Sequence, residues 1–143
     1  MNIPKHSFIC WIVMHRRILT KDRLAIMGIC QEKECLLCGS KPESINHLFF
    51  ECEFSIECLK GVLEWLKIGI NNTSIDGLWR RVTRRAKGKI SRSLIKAIIV
   101  ALIYHIWQAR NGALWNKAVT RLAKILKMIK EESRSRTRGS TQK

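Results

Sequence analysis

The sequence predicts a mainly α-helical protein: a small helical domain organised around a cysteine–histidine cluster, then basic helices, then a disordered C-terminal tail. Three observations predict it. Apolar residues recur at helical spacing along most of the 143 residues, with little strand-like alternation. Ligand-type side chains gather in one turn-rich stretch, and the positive charge gathers in the second half. A chain of this length is about one domain's worth, since domains commonly hold roughly 100–200 residues.

Taken in order, Phe8, Ile9, Ile12 and Val13 predict a helix over Lys5–Leu19, with Pro4 suited to its first turn. Thr20 can cap a short helix, Lys21–Met27, and Gly28 can close it. Turn formers fill Cys30–Pro42. Ser44 offers an N-cap before Ile45–Phe50, placing His47 near a helix start, and Ser55 can cap a helix through Lys67 with Leu59, Val62, Leu63 and Leu66 on one face. Asn71-Asn72-Thr73-Ser74 is the linker candidate. Ile75–Ala86 then reads as a basic helix and Lys87-Gly88-Lys89 as a break. The longest helix, Ser91–Asn116, buries Leu94, Ile95, Ile98, Ile99, Leu102, Ile103, Ile106 and Trp107, with Asn111-Gly112 as a candidate kink or end. An amphipathic helix over Ala118–Ile129 precedes a tail expected to be disordered. The expected divisions are 3–70, 75–130 and 131–143.

Charge divides the chain at the same place. Residues 1–70 hold nine Lys/Arg and eight Asp/Glu, a net +1; residues 71–143 hold eighteen and three, a net +15, out of +16 overall. Such self-repulsion is most simply tolerated beside a polyanion, nucleic acid first. Only two aspartates occur, Asp22 and Asp76, which argues against two-metal polymerase or nuclease chemistry and for a binding module without a small-molecule substrate. The uncharged apolar run between Lys96 and His105 falls short of the roughly 20 residues that span a bilayer, and Met1–Met14 lacks a signal-peptide pattern, so the expectation is an intracellular protein without a membrane partner.

The strongest chemical signal is Cys35-Leu36-Leu37-Cys38, followed by His47 and Cys52. Three thiolates and an imidazole suit one tetrahedral Zn²⁺, with no position left for a catalytic water, which describes a structural site. Buried thiols or a redox pair are the competing readings; the redox pair lacks its usual βαβ setting. Cys10, Cys30 and Cys58 read as buried thiols, Cys30 and Cys58 also being substitute ligands should the set differ. His6, His15 and His105 read as surface or core histidines.

These residues carry a resemblance. Ile3-Pro4-Lys5, Phe8, Trp11, Leu19-Thr20-Lys21-Asp22-Arg23-Leu24, Cys35-x-x-Cys38-Gly39 and His47-Leu48-Phe49-Phe50-Glu51-Cys52 together resemble the zinc-binding domain of plant reverse transcriptases. In non-LTR (LINE-type) retrotransposon polyproteins that domain follows the polymerase. The resemblance implies the same four ligands, Cys35, Cys38, His47 and Cys52. Trp107, Arg110 and Asn111 are similar to a segment found downstream in those polyproteins. No Asp-Asp pair is present, so the polymerase activity is not implied and the chain resembles a remnant or separately expressed tail.

In the basic half, Arg80, Arg84 and Lys87 fall on one helical face beside Arg81 and Arg85, a guanidinium surface suited to phosphate oxygens. The same run resembles a nuclear-import address. Lys117, Arg121, Lys124 and Lys127 form a weaker second stripe. Trp107 and Trp115 read as core rather than base-stacking platforms. The expected function is association with RNA or an RNA/DNA hybrid, without base-specific recognition. Its rivals are a protein-interaction module using the apolar faces around Trp107 and Trp115, and a non-functional remnant.

Overall fold

Helix α1, Pro4–Met14, starts on the proline expected there, whose missing N–H costs nothing in a first turn. It ends earlier than the apolar pattern predicts. Arg16 takes a left-handed φ of 54°, Arg16 N–H donates to Val13 O and Arg17 N–H to Ile12 O, the pairing of a Schellman stop. Helix α2, Lys21–Ile26, ends by the same device with the residue that suits it: Gly28 has φ 76°, and the N–H groups of Gly28 and Ile29 reach Ala25 O and Leu24 O. The computed structural model describes residues 4–65, 89–115 and 120–141, with side chains over 4–65, 93–115 and 120–134.

The start of α2 departs from expectation. Thr20 is the N-cap residue, but its hydroxyl donates to Asp22 Oδ1. The N–H of Lys21 is instead taken, at 2.7 Å, by the carboxylate of Glu43, 22 residues further on. A carboxylate at a helix N-terminus satisfies an orphan donor and meets the positive end of the helix dipole.

After the cysteine-rich turns come a single π-helical turn, His47–Glu51, and helix α3, Glu53–Trp65. Ser55, expected to cap α3, lies inside it and is buried, its hydroxyl donating to Leu48 O. Helix α4, Lys89–Trp115, runs without a break through Asn111-Gly112. It is the centre of the fold: α1, α3 and the last helix, α5 (Leu122–Thr141), all pack on it. Every residue from Ala97 to Ile103 is buried, so this part of α4 is covered on all sides, as a central core helix must be. Val13, Leu48, Phe49, Leu59, Val62, Ile125 and Ile129 complete one contiguous core with Ile98, Leu102 and Ile106. By length and composition Ser93–Trp115 would also suffice to cross a bilayer, which the shorter uncharged run had not suggested. In this fold most of it is instead buried against the other helices.

The expected mainly helical class holds: among the described residues there is no strand, only an isolated antiparallel bridge between Glu34 and Pro42. The expectation of a disordered tail from residue 131 is corrected. Helix α5 continues to Thr141, and just past Ile129 two of its side chains are held in place. Ser133 is buried and donates to Ile129 O, and Glu132 pairs with His105 of α4. The linker at 71–74, the basic helix over 75–86 and the first two residues of the break expected at 87–89 lie outside the described residues, while Lys89, its third, already starts α4.

Candidate metal centre

The cysteine turn is built by backbone hydrogen bonds before any metal is considered. Cys35 N–H donates to Lys41 O at 2.8 Å and Glu43 N–H to Lys33 O at 2.7 Å, closing the two ends of the loop around the Glu34–Pro42 bridge. Inside it, Gly39 N–H donates to Cys35 O with Gly39 at φ 68°, a conformation that favours glycine and turns the chain back after Cys38. The second half of the centre is supplied by the π-helical turn. Ser44 Oγ accepts from His47 N–H at 3.0 Å, as the N-cap reading expected, and Cys52 N–H donates to His47 O, so that the wide turn brings positions 47 and 52 together.

The four expected ligands converge. One ligand atom from each of Cys35, Cys38, His47 and Cys52 lies within 4.8 Å of the other three. Cys35 Sγ and Cys52 Sγ are 3.8 Å apart, and Cys38 Sγ and His47 Nε2 are 3.2 Å apart. Around a tetrahedral zinc with bonds of about 2.3 Å to sulfur and 2.0–2.1 Å to nitrogen, sulfurs fall about 3.8 Å apart and a sulfur–nitrogen pair about 3.5 Å. The residues therefore fit one zinc ion, with three thiolates and one imidazole filling its coordination. Bound there, the metal would cross-link the cysteine turn to the π-helical turn.

Backbone donors reach a sulfur at each end of the centre. The backbone N–H groups of Leu37 and Cys38 point at the Cys35 sulfur, and those of Phe54 and Ser55, in the first turn of α3, point at Cys52. The hydrogen bond between the two buried sulfurs is the largest influence on each: it holds Cys52 below the ordinary thiol range and, followed by burial, pushes Cys35 up. Zinc is bound by thiolates, so binding there would release protons and weaken as pH falls. Ser40 Oγ donates to Cys38 Sγ at 3.4 Å.

The remaining cysteines stand apart from the cluster. Burial pushes the thiol of Cys58 up to about 12, and that of Cys10 up as well, so both behave as small hydrophobic groups. Cys30 donates to Glu32 O at 2.9 Å. Neither substitute ligand, Cys30 or Cys58, is needed.

A second feature joins this centre to the core, and residue spacing alone does not reveal it. Glu43, fully buried, accepts from Arg110 Nε and Nη2 at 3.0–3.2 Å, while Nη2 also donates to Leu19 O. One carboxylate thus ties together the cysteine turn, the start of α2 and α4. The guanidinium lies 4.5 Å from the Trp107 ring, which itself faces Phe49. The available signal was an arginine in phase with Ile106 and Trp107 on the apolar face of α4, a position that only a buried partner can make tolerable.

The expected nucleic-acid residues Arg80, Arg81, Arg84, Arg85 and Lys87 lie outside the described residues, as does Lys117. Of the second stripe, Arg121, Lys124 and Lys127 are exposed, and Arg134 extends it. Trp107 is buried, as expected; Trp115 is not, being 69% exposed.

Fold and site define a small helical module built around a Cys3His centre. Residues 1–58 match the family described as zinc-binding in reverse transcriptase, a span that contains all four ligands and the whole cysteine turn. No match was found among curated proteins or among solved structures.

Proposed function

We propose that this chain is a zinc-organised module, derived from a plant LINE-type retrotransposon polyprotein, that associates with nucleic acid through phosphate contacts and performs no catalysis of its own. RNA or an RNA/DNA hybrid is the favoured partner. The observation that carries the reading is the concentration of charge: +15 of the net +16 falls after residue 70, while the half that holds the four expected ligands is near neutral. The exposed stripe of Arg121, Lys124, Lys127 and Arg134 on α5 supports it, and the Arg80–Lys87 run adds the densest positive sequence. Arginine and lysine contacts to phosphate release counterions, so binding of this kind weakens steeply with salt. A complete Cys3His set supports a structural role for the metal, since no ligand position is left for water. We place the protein inside the cell, with the Arg80–Lys87 run as a nuclear-import address.

Fluorescence titration of zinc-loaded protein with RNA, DNA and hybrid of one sequence, repeated at several salt concentrations, tests the reading. Log affinity should fall linearly with log salt, with little dependence on base sequence. Affinity indifferent to salt, or absent at low salt, contradicts it. A protein-binding role is the second reading, and one observation favours it. Phe8, Trp11 and Met14 of α1, and Ile26, Met27 and Ile29 at the end of α2, are large apolar side chains left exposed, and exposed apolar surface is what protein interaction sites present.

A further inference from the structure

Away from the Cys3His centre, three residues distant in sequence meet where α1, α4 and α5 pack together. His6 is fully buried, His105 nearly so, and Glu132 reaches them from the part of α5 that the sequence left as tail. One ligand-type atom from each lies within 4.8 Å of the other two. Glu132 Oε1 is 3.1 Å from His105 Nε2, and Glu132 Oε2 is 3.7 Å from His6 Nε2.

A hydrogen bond accounts for the first distance; the second is too long for one and is an ion pair only when His6 is protonated. Glu132 Oε2 is nonetheless shut off from solvent and receives no hydrogen bond among the described residues. A buried carboxylate oxygen in that condition is costly unless something cationic sits against it. Two ligands on one tetrahedral zinc-sized ion, at bonds of about 2.0–2.2 Å, stand about 3.3–3.6 Å apart. The distances of 3.1 and 3.7 Å lie on either side of that value.

We propose that His6, His105 and Glu132 form a second site, for a divalent transition-metal cation of the zinc class. Two imidazoles and a carboxylate are a known donor set for zinc, harder than the thiolate centre, and they leave one tetrahedral position for solvent. Two neutral imidazoles and one carboxylate would leave the bound ion with a local charge of +1, tolerable beside Tyr104, whose ring lies 4.4 Å from that of His6. Bound there, the ion would clamp α1 and α5 to α4. It would thereby fix residues 6 and 132, far apart in sequence, to one helix.

The test is metal content of the full chain, thiols reduced, after equilibration in zinc buffers, with cobalt(II) substitution to separate the two centres. Only the Cys3His centre gives thiolate-to-cobalt charge-transfer absorption. Wild type should bind two equivalents, one of them without that absorption. Glu132→Gln, which keeps the side chain's shape, should bind one, with the thiolate–cobalt band unchanged and the far-ultraviolet circular dichroism of wild type. A single equivalent in wild type, all of it accounted for by the thiolate band, overturns the proposal whatever the variant does. Two equivalents retained by Glu132→Gln overturn it equally.

Discussion

The cysteine turn and the α4 core solve the same problem by different means. Between Gly28 and Cys52 the chain has one π-helical turn and one isolated bridge, and the side chains it sends into the core, Ile45, Leu48 and Phe49 with the ligands Cys35 and Cys52, come mostly from its last turn. Its order comes from a handful of backbone hydrogen bonds and from four ligands aimed at one point. Around α4, by contrast, a contiguous set of Ile, Leu, Val and Ala side chains does the work, with buried area as the stabilising term. A metal centre concentrates its stabilisation in four residues, apparent values for structural zinc being about 10–16 kcal/mol. A packed core spreads it over many. The two regions should therefore fail differently, and the Glu43–Arg110 pair is where failure in one would reach the other.

The largest expected effect is at the metal. Cys38→Ser removes a ligand from a partly buried position at the edge of the core, and zinc affinity, measured by competition with a chromophoric chelator, should fall by more than the roughly 10–100-fold typical of outer-shell partners. Affinity should also drop as pH is lowered, because protons return to the sulfurs that zinc had taken over. Next comes the joint between regions. Arg110→Met strands the buried Glu43 carboxylate and should cost about 3–5 kcal/mol in urea unfolding, while adding Glu43→Leu should recover much of the loss. If Arg110→Met is harmless, the two regions are not coupled through this pair. Leu102→Ala, at a fully buried core position, should cost about 2–5 kcal/mol and leave zinc affinity where it was. A parallel loss of zinc affinity would mean that the regions are one cooperative unit. The smallest effect is at the stop of α1: Arg16→Gly relieves a left-handed non-glycine residue and should raise stability by about 1 kcal/mol in thermal unfolding, offset by the lost contact with Asn46.

Much of this was legible in the sequence, for physical reasons that differ by element. The ligand set was readable because metal coordination imposes short-range spacing, and Cys35, Cys38, His47 and Cys52 converge as expected. The buried face of α4 was readable because helical periodicity is local. Contacts between distant segments were not. Nothing near Glu43 signals that it will cap α2 and hold Arg110, since its partners are 22 and 67 residues away. The tail misled because Arg, Ser, Thr and Gly describe a segment's own preference, whereas Glu132 and Ser133 are held by tertiary contacts with α4 and by the helix itself. The stop of α1 misled for the opposite reason: apolar periodicity continues to Leu19, but the left-handed Arg16 ends the helix first.

Hydrogen exchange of the zinc-loaded and zinc-stripped protein, read by mass spectrometry segment by segment, tests the central claim most directly. Metal removal should strip protection from residues 33–52, where Cys35, Gly39, Glu43 and Cys52 donate the hydrogen bonds that shape the centre, while residues 98–109 of α4 keep most of theirs. Unchanged protection over 33–52 would contradict a metal-organised half, and equal loss over both segments would contradict a core that stands on its own packing.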